Sequence, residues 1–320
     1  MNKKYLEFRT DMADERVDTY KLVNNLSEID GIKVESNHEN GIITTVVDVL
    51  NKNGEKAVQK EIGKYITIEI KDLNNLDQDK NDNVVKALSA QVKALIGNNY
   101  KESILVVGLG NESVTPDALG PKVTKGIDIT RHILNFASDL IEPNTRAISA
   151  IAPGVLGTTG IETSEIIMSV VEKVKPSIVI VIDSLASSSI HRIGNTIQLS
   201  NTGITPGAGV RNKREGINQK VLGIPVIAIG VPTVVDMATI TNEAIDKMLD
   251  SAKEEIEDFS NKIAEKKNID TIFEFLERDT RYDMIANILN TQNYIVTPKE
   301  VDEVILDMSK IIADGINKAV

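Results

Sequence analysis

Residues 104–121, ILVVGLGNESVTPDALGP, and a counterpart at 177–185, SIVIVIDSL, decide how this chain is read. Each begins with a β-branched and aliphatic run too short for a helix and bounded by turn formers, the pattern of a strand buried on both faces of a parallel sheet. An aspartate follows each run, Asp117 in the first and Asp183 in the second. In open α/β sheets the binding crevice lies outside the carboxyl ends of the strands, so two carboxylates far apart in sequence can meet there. Working outward, strands are expected at 104–107, 146–151, 177–182, 195–199 and 225–229, with helices from about Pro121 and Thr159. That alternation predicts βαβ units and an α/β fold, a mostly parallel sheet flanked by helices.

Toward the N-terminus, 42–50 and 65–70 read as an antiparallel β element with Asn53-Gly54 as a hairpin signal. Apolar residues at helical spacing over 82–96 predict a helix that Gly97 ends. Thr159 with Glu162 and Thr233 with Asp236 have the spacing of capping boxes. Beyond Thr239 the pattern is helical, with Pro298 as the break before a last amphipathic helix. The expected organisation is one α/β domain over 13–320, with a β-rich addition at about 40–70 and a helical part at about 240–320. Residues 1–12, basic and partly apolar before a more acidic stretch, read as an arm outside the core.

Composition narrows the chemistry. The chain of 320 residues has no Cys, so disulfides, thiol nucleophiles and thiolate metal sites are excluded. A formal net charge of −11 repels phosphate backbones and argues against binding nucleic acid. No apolar run approaches the ~20 residues of a membrane helix, and no secretory leader is recognisable, so a soluble protein that stays inside the cell is expected. No His-Glu-x-x-His or comparable metal spacing occurs.

Gly108-Leu109-Gly110 follows a strand as a dinucleotide-binding turn does, but Ser113 stands where the third glycine belongs and Pro116 interrupts the receiving helix. A tight turn that carries Asp117 to the crest suits the same glycines better. Asp183 has two readings, N-cap of a helix starting near Leu185 or member of a site, and Asp117 has a similar pair. The glycine-rich loops 152–160 and 203–209 are available to line a cleft. His191, among serines, permits an imagined Ser/His/Asp triad, but no G-x-S-x-G elbow accompanies it.

The motifs VVGLGNESVTPDALGPKV, TRH at 130–132, APGVLGTTGIETSE at 152–165, IDSLASSSIHRIGNTIQLSNTGITPGAGVRNKR at 182–214 and LGIPVIAIGVPTVVD at 222–236 together resemble the germination protease family. RTDMADE at 9–15 and YIVTPKEVDEVI at 294–305 extend the resemblance over nearly the whole chain. A more distant likeness, in the GLGN-to-Asp stretch and the strand-end Asp, is to hydrogenase-maturation proteases, and a metal-dependent protease of that type is the enzyme alternative. A nucleotide-binding module is the non-enzyme alternative. The family resemblance implies an endopeptidase that degrades small acid-soluble spore proteins, with Asp117 and Asp183 essential; no equivalent is found for the histidine with which hydrogenase-maturation proteases hold metal, so a site without metal or cofactor is expected. It further implies a homotetramer in the spore cytoplasm, made as a zymogen. Asp11-Met12-Ala13-Asp14-Glu15 follows the family's cleavage pattern of acidic, apolar, Ala, any residue and Glu, which makes 1–12 a propeptide cut between Met12 and Ala13. The chain departs from the family pattern at Ser184 and Ser188, where Ala and Arg are expected.

Overall fold

The computed structural model describes residues 10–70, 78–97, 102–137, 139, 141–142, 145–205, 215–245, 248 and 294–320. In chain order, α1 (Ala13–Asn24) precedes the hairpin β1 (Ile32–Glu39) and β2 (Ile42–Val49), then α2 (Lys52–Val58), β3 (Gly63–Ile70) and α3 (Gln78–Ile96). There follow β4 (Ile104–Gly108), α4 (Leu119–Lys125), α5 (Arg131–Phe136), β5 (Ile148–Ile151), α6 (Leu156–Thr159) and α7 (Thr163–Val174). The chain continues through β6 (Ile178–Ser187), β7 (Thr196–Ser200), α8 (Gln219–Leu222), β8 (Val226–Asp236), α9 (237–245), β9 (Ile295–Val296) and α10 (Val301–Ala319).

The strands form one mixed sheet in the order β1-β2-β3-β7-β8-β6-β4-β5, with β9 on β8. Its parallel core is β8-β6-β4-β5, as the short unbroken apolar runs imply. β7 follows β6 with only a short 3₁₀ turn between them, too little chain for a parallel crossover, and it runs antiparallel to β8. Because β3 pairs with β7, the N-terminal β element continues the main sheet instead of standing apart from it.

Side chains alternate cleanly across this core. Ile104, Val106, Ile178, Ile180 and Ile182 join the larger cluster with Leu88 of α3, Leu119 of α4 and Ile312 of α10. Leu105, Val107, Val179 and Val181 pack with Ile167 and Val171 of α7 on the opposite face. A third cluster, of Ala13, Val17, Val47, Val58 and Tyr65, seats α1 and α2 on the N-terminal strands.

Four sequence expectations need correction. The hairpin turn is Asn40-Gly41, both at positive φ (51° and 77°), between the paired residues Glu39 and Ile42. Asn53-Gly54 instead lies in α2, whose N-cap Asn51 accepts hydrogen bonds from the backbone N–H groups of both residues. Thr159 ends α6 and α7 begins at Thr163, so Thr159 and Glu162 form no capping box. Thr233 is inside β8, while Asp236 precedes α9 and accepts from the Thr239 hydroxyl at 3.2 Å. The arm, finally, is part of the core at its inner end: Met12 and Ala13 are fully buried. Residues 1–9 of the arm, and the expected helical stretch at 249–293, lie outside the described residues.

Candidate active site

From β4 the chain crosses to β5 on one side, and from β5 it passes over to β6 on the other side of β4. The gap beyond the carboxyl ends of β4 and β6 is therefore the topological switch point of the sheet. Gly108 pairs with Ile182, and the Leu109 N–H donates to the Ile182 carbonyl at 2.8 Å. The next residues along the two strands are Gly110 and Asp183.

Gly110 adopts φ +109°, and a Cβ there would lie 2.0 Å from the Asp117 carbonyl oxygen and 3.0 Å from its carboxylate. Gly108 meets Gly120 as closely, its Cβ position being 2.1 Å from the Gly120 carbonyl. Both glycines thus let the loop 111–120 fold back on the strand end, the turn reading of the motif rather than the dinucleotide one. Asp117 ends a 3₁₀ turn, Thr115–Asp117, and its carboxylate accepts from the Asn111 N–H at 2.8 Å. It does not cap α4, whose N-cap is Ala118.

Asp183 lies within β6, which runs on to Ser187, so no helix starts at Leu185 for it to cap. It is 6% exposed and accepts from the Ser184 N–H at 2.9 Å. Asp117 and Asp183 line one cleft of about 510 Å³. Val155 from one glycine-rich loop, Gly203 and Ile204 from the other, and Lys60 from the end of α2 share its wall; residues 206–214 lie outside the described residues.

The N-terminal segment enters the same cleft through Asp11. Its N–H donates to the Ala186 carbonyl at 2.8 Å, and its carboxylate accepts from the Ala186 N–H at 2.9 Å. Its carbonyl accepts from Lys60 Nζ at 2.6 Å and Gln198 Nε2 at 3.0 Å, while the Ala13 N–H donates to Gln198 Oε1 at 2.7 Å. Glu15 is enclosed by donors from the end of β6. Its carboxylate accepts from the Ser187 hydroxyl at 2.7 Å, from the Ser188 N–H and hydroxyl at 2.8 Å each, and from the Thr10 hydroxyl. Arg192 Nη1 bonds Asp14 at 2.6 Å, and Nε lies 3.4 Å from Glu15. Burial works to lower the Arg192 pKa, but the charge and hydrogen bond of Asp14 and the charge of Glu15 outweigh it, and the net shift is upward. Desolvation pushes Lys60 the other way, down to about 8, against the pull of Asp11.

Comparison with known proteins decides the family. The germination protease family profile matches residues 7–264 and 250–320. The chain belongs to the germination protease family. It is 46% identical over 317 residues to the germination protease of Clostridium tetani, covering 98% of this chain and 95% of that one. Identity to the Clostridium perfringens SM101 germination protease is 48% over 314 residues, covering 97% and 94%. A nickel–iron hydrogenase maturation protease from Thermococcus kodakarensis aligns in structure with a TM-score of 0.30 and 17% identity, over 45% of this chain and 80% of that one. Membership in the family makes the chain a protease.

Within this protease the cleft gathers Asp117 and Asp183 as the sequence suggests, but not His191, which is exposed on the 3₁₀ turn Ile190–Arg192 and absent from the cleft wall. Lys60, Gln198 and Arg192 escape sequence reasoning. Each is an ordinary residue type, and only the pairing of β3 with β7 and the docking of α1 bring them to the N-terminal segment. Among the described residues no helix is long and apolar enough to cross a membrane.

Proposed function

We propose that the chain is an endopeptidase that opens the degradation of small acid-soluble spore proteins during germination, with Asp117 and Asp183 as its catalytic pair. The observation that carries this reading is the convergence of both carboxylates on the switch-point cleft that the N-terminal segment also enters through Asp11. One carboxylate takes a proton from water as the oxygen bonds to the scissile carbonyl carbon. The other gives a proton to the departing amine as the C–N bond breaks. On this reading the two carboxylates share one proton, which serves the acid role. The enzyme is made as a zymogen whose 1–12 propeptide is removed by self-cleavage between Met12 and Ala13, it works in the spore cytoplasm, and it uses no cofactor.

The test incubates the purified protein alone and with an intact small acid-soluble spore protein, reading fragments by mass and new termini by sequencing. Fragments cut before Ala in the acidic, apolar, Ala, any, Glu context are expected, with a new chain start at Ala13. Asp117→Asn and Asp183→Asn should each lower both cleavages by about 10²-fold or more. Near-normal cleavage in either variant would sink the assignment of that aspartate. Loss of activity on chelation, restored by metal, would favour the metal-dependent maturation-type alternative. Assembly as a homotetramer belongs to the same reading, and light scattering that gives a monomer mass would remove it.

A further inference from the structure

The two neighbours of β6 do not end together. β8 stays paired with it to Ser187 opposite Val235, whereas β4 stops at Gly108 opposite Ile182. Beyond Ile182, one edge of β6 therefore has no strand beside it among the described residues. In parallel pairing a residue directs its N–H and C=O to one side and the next residue to the other, so the groups on this edge belong to Ser184, Ala186 and Ser188. The chain's own N-terminal segment uses two of them: Ala186 exchanges hydrogen bonds with Asp11, and the Ser188 N–H bonds the Glu15 carboxylate.

Apart from the Thr10 hydroxyl, the donors around Glu15 come from a different part of the chain than Glu15 itself. A glutamate in the first turn of a helix ordinarily serves its own N-terminus. Here the Ser187 and Ser188 groups sit at the end of a sheet-held strand, and Arg192 on the turn that follows it. Ser187 is held further by the Ser189 N–H, which donates to its hydroxyl oxygen at 3.0 Å while the hydroxyl's one proton goes to Glu15. The pocket is thus organised by β6 and its turn, whether or not α1 lies against it.

Resting on the protease reading, we propose that the open edge of β6 from Asp183 to Ser188 is a strand-addition surface for an extended substrate, and that Ser187, Ser188 and Arg192 form its specificity pocket for a glutamate side chain. The lengths agree. Asp183 to Ser187 is four residue steps, about 13 Å at ~3.3 Å per step, which accommodates the roughly 10 Å that three extended residues past a scissile bond span. Main-chain pairing along such an edge supplies affinity and side-chain pockets supply selectivity. The chain's own segment is docked differently: Asp11 pairs at Ala186, and the helix that opens at Ala13 shortens the path to Glu15, leaving the Met12–Ala13 bond buried and outside the cleft wall. The uncut N-terminus consequently occupies the surface that a substrate needs.

Binding separates this inference from its parent reading. Fluorescent peptides containing Asp-Met-Ala-Asp-Glu, and the same sequence ending in Gln, are titrated by anisotropy against the full-length protein and against Glu15→Gln. Weakening the internal occupant in Glu15→Gln should expose a preference for the Glu peptide of about tenfold, the scale of hydrogen bonds to a charged group. Arg192→Gln placed on Glu15→Gln should bring that ratio close to one, and the milder Ser188→Ala, which removes a single hydroxyl, should lower it. Equal binding of both peptides to Glu15→Gln, or a ratio untouched by either pocket change in protein of unaltered melting temperature, would overturn the pocket. Hydrolysis is read on the same peptides with protein whose N-terminus has been cut at Ala13: discrimination without cleavage keeps the pocket and sinks the proposed catalytic pair, and cleavage of both at one rate does the reverse.

Discussion

At the scale of single residues the cleft works by setting charge against burial. Lys60 Nζ bonds the Asp11 carbonyl, and desolvation lowers its pKa to about 8 from an ordinary value of 10.5. Between those values the unfolded chain holds a proton on this group that the folded chain has released, so its contribution to stability improves as pH rises from about 8 to 10.5. Below pH 8 both states are protonated, and the fold bears the full penalty of an enclosed ammonium. Carbon-detected titration of the Lys60 side chain should give a midpoint near 8. Asp11→Asn removes the neighbouring charge that raises it and should move the midpoint lower. A midpoint at the ordinary 10.5 would show an ammonium in contact with bulk water instead.

Elements differ in how far the sequence discloses them, and the reason is the range of the forces involved. The runs at 104–107 and 178–182 declare buried strands because both faces of the sheet are covered, so nearly every position is apolar. α3 and α10 are legible from apolar spacing at helical period. The two Asn-Gly pairs are not distinguishable locally, since each is a good turn former. What separates them is that Asn51 stands two residues before one pair and caps it into α2, while the other joins strands whose partners flank it directly. β1 is hard to see because most of its residues are exposed and polar, which leaves no apolar row to read. The extension of β6 through Asp183 to Ser187 is hidden for a related reason: its polar half is specified by pairing with β8, a contact across some fifty residues of chain. Asp117 and Asp183 were therefore legible as candidates from the apolar runs that precede them, although β6 runs on past Asp183, whereas the pocket around Glu15 was not, because its donors are Ser, Thr and Arg residues with no spacing of their own.

For the whole molecule, the sheet divides stability from chemistry. The larger cluster lies on the face covered by α3, α4 and α10, and the cleft opens at the carboxyl crest beyond β4 and β6. Leu88 of α3 is fully buried, and its Cδ2 is only 2.6 Å from where a Cβ on Gly315 of α10 would stand, so the two helices are in close register there. Truncating such a side chain leaves a cavity that the tightly packed surroundings fill only in part. Leu88→Ala should lower unfolding free energy in urea by about 2–5 kcal/mol with the slope m unchanged. Below its unfolding transition the same variant should retain the kcat and KM of the unaltered enzyme, since neither carboxylate nor the β6 edge touches this interface. A KM that rises with Leu88→Ala while the fold remains intact would mean that α3 and α10 brace the crest through the sheet, and the division would have to be abandoned.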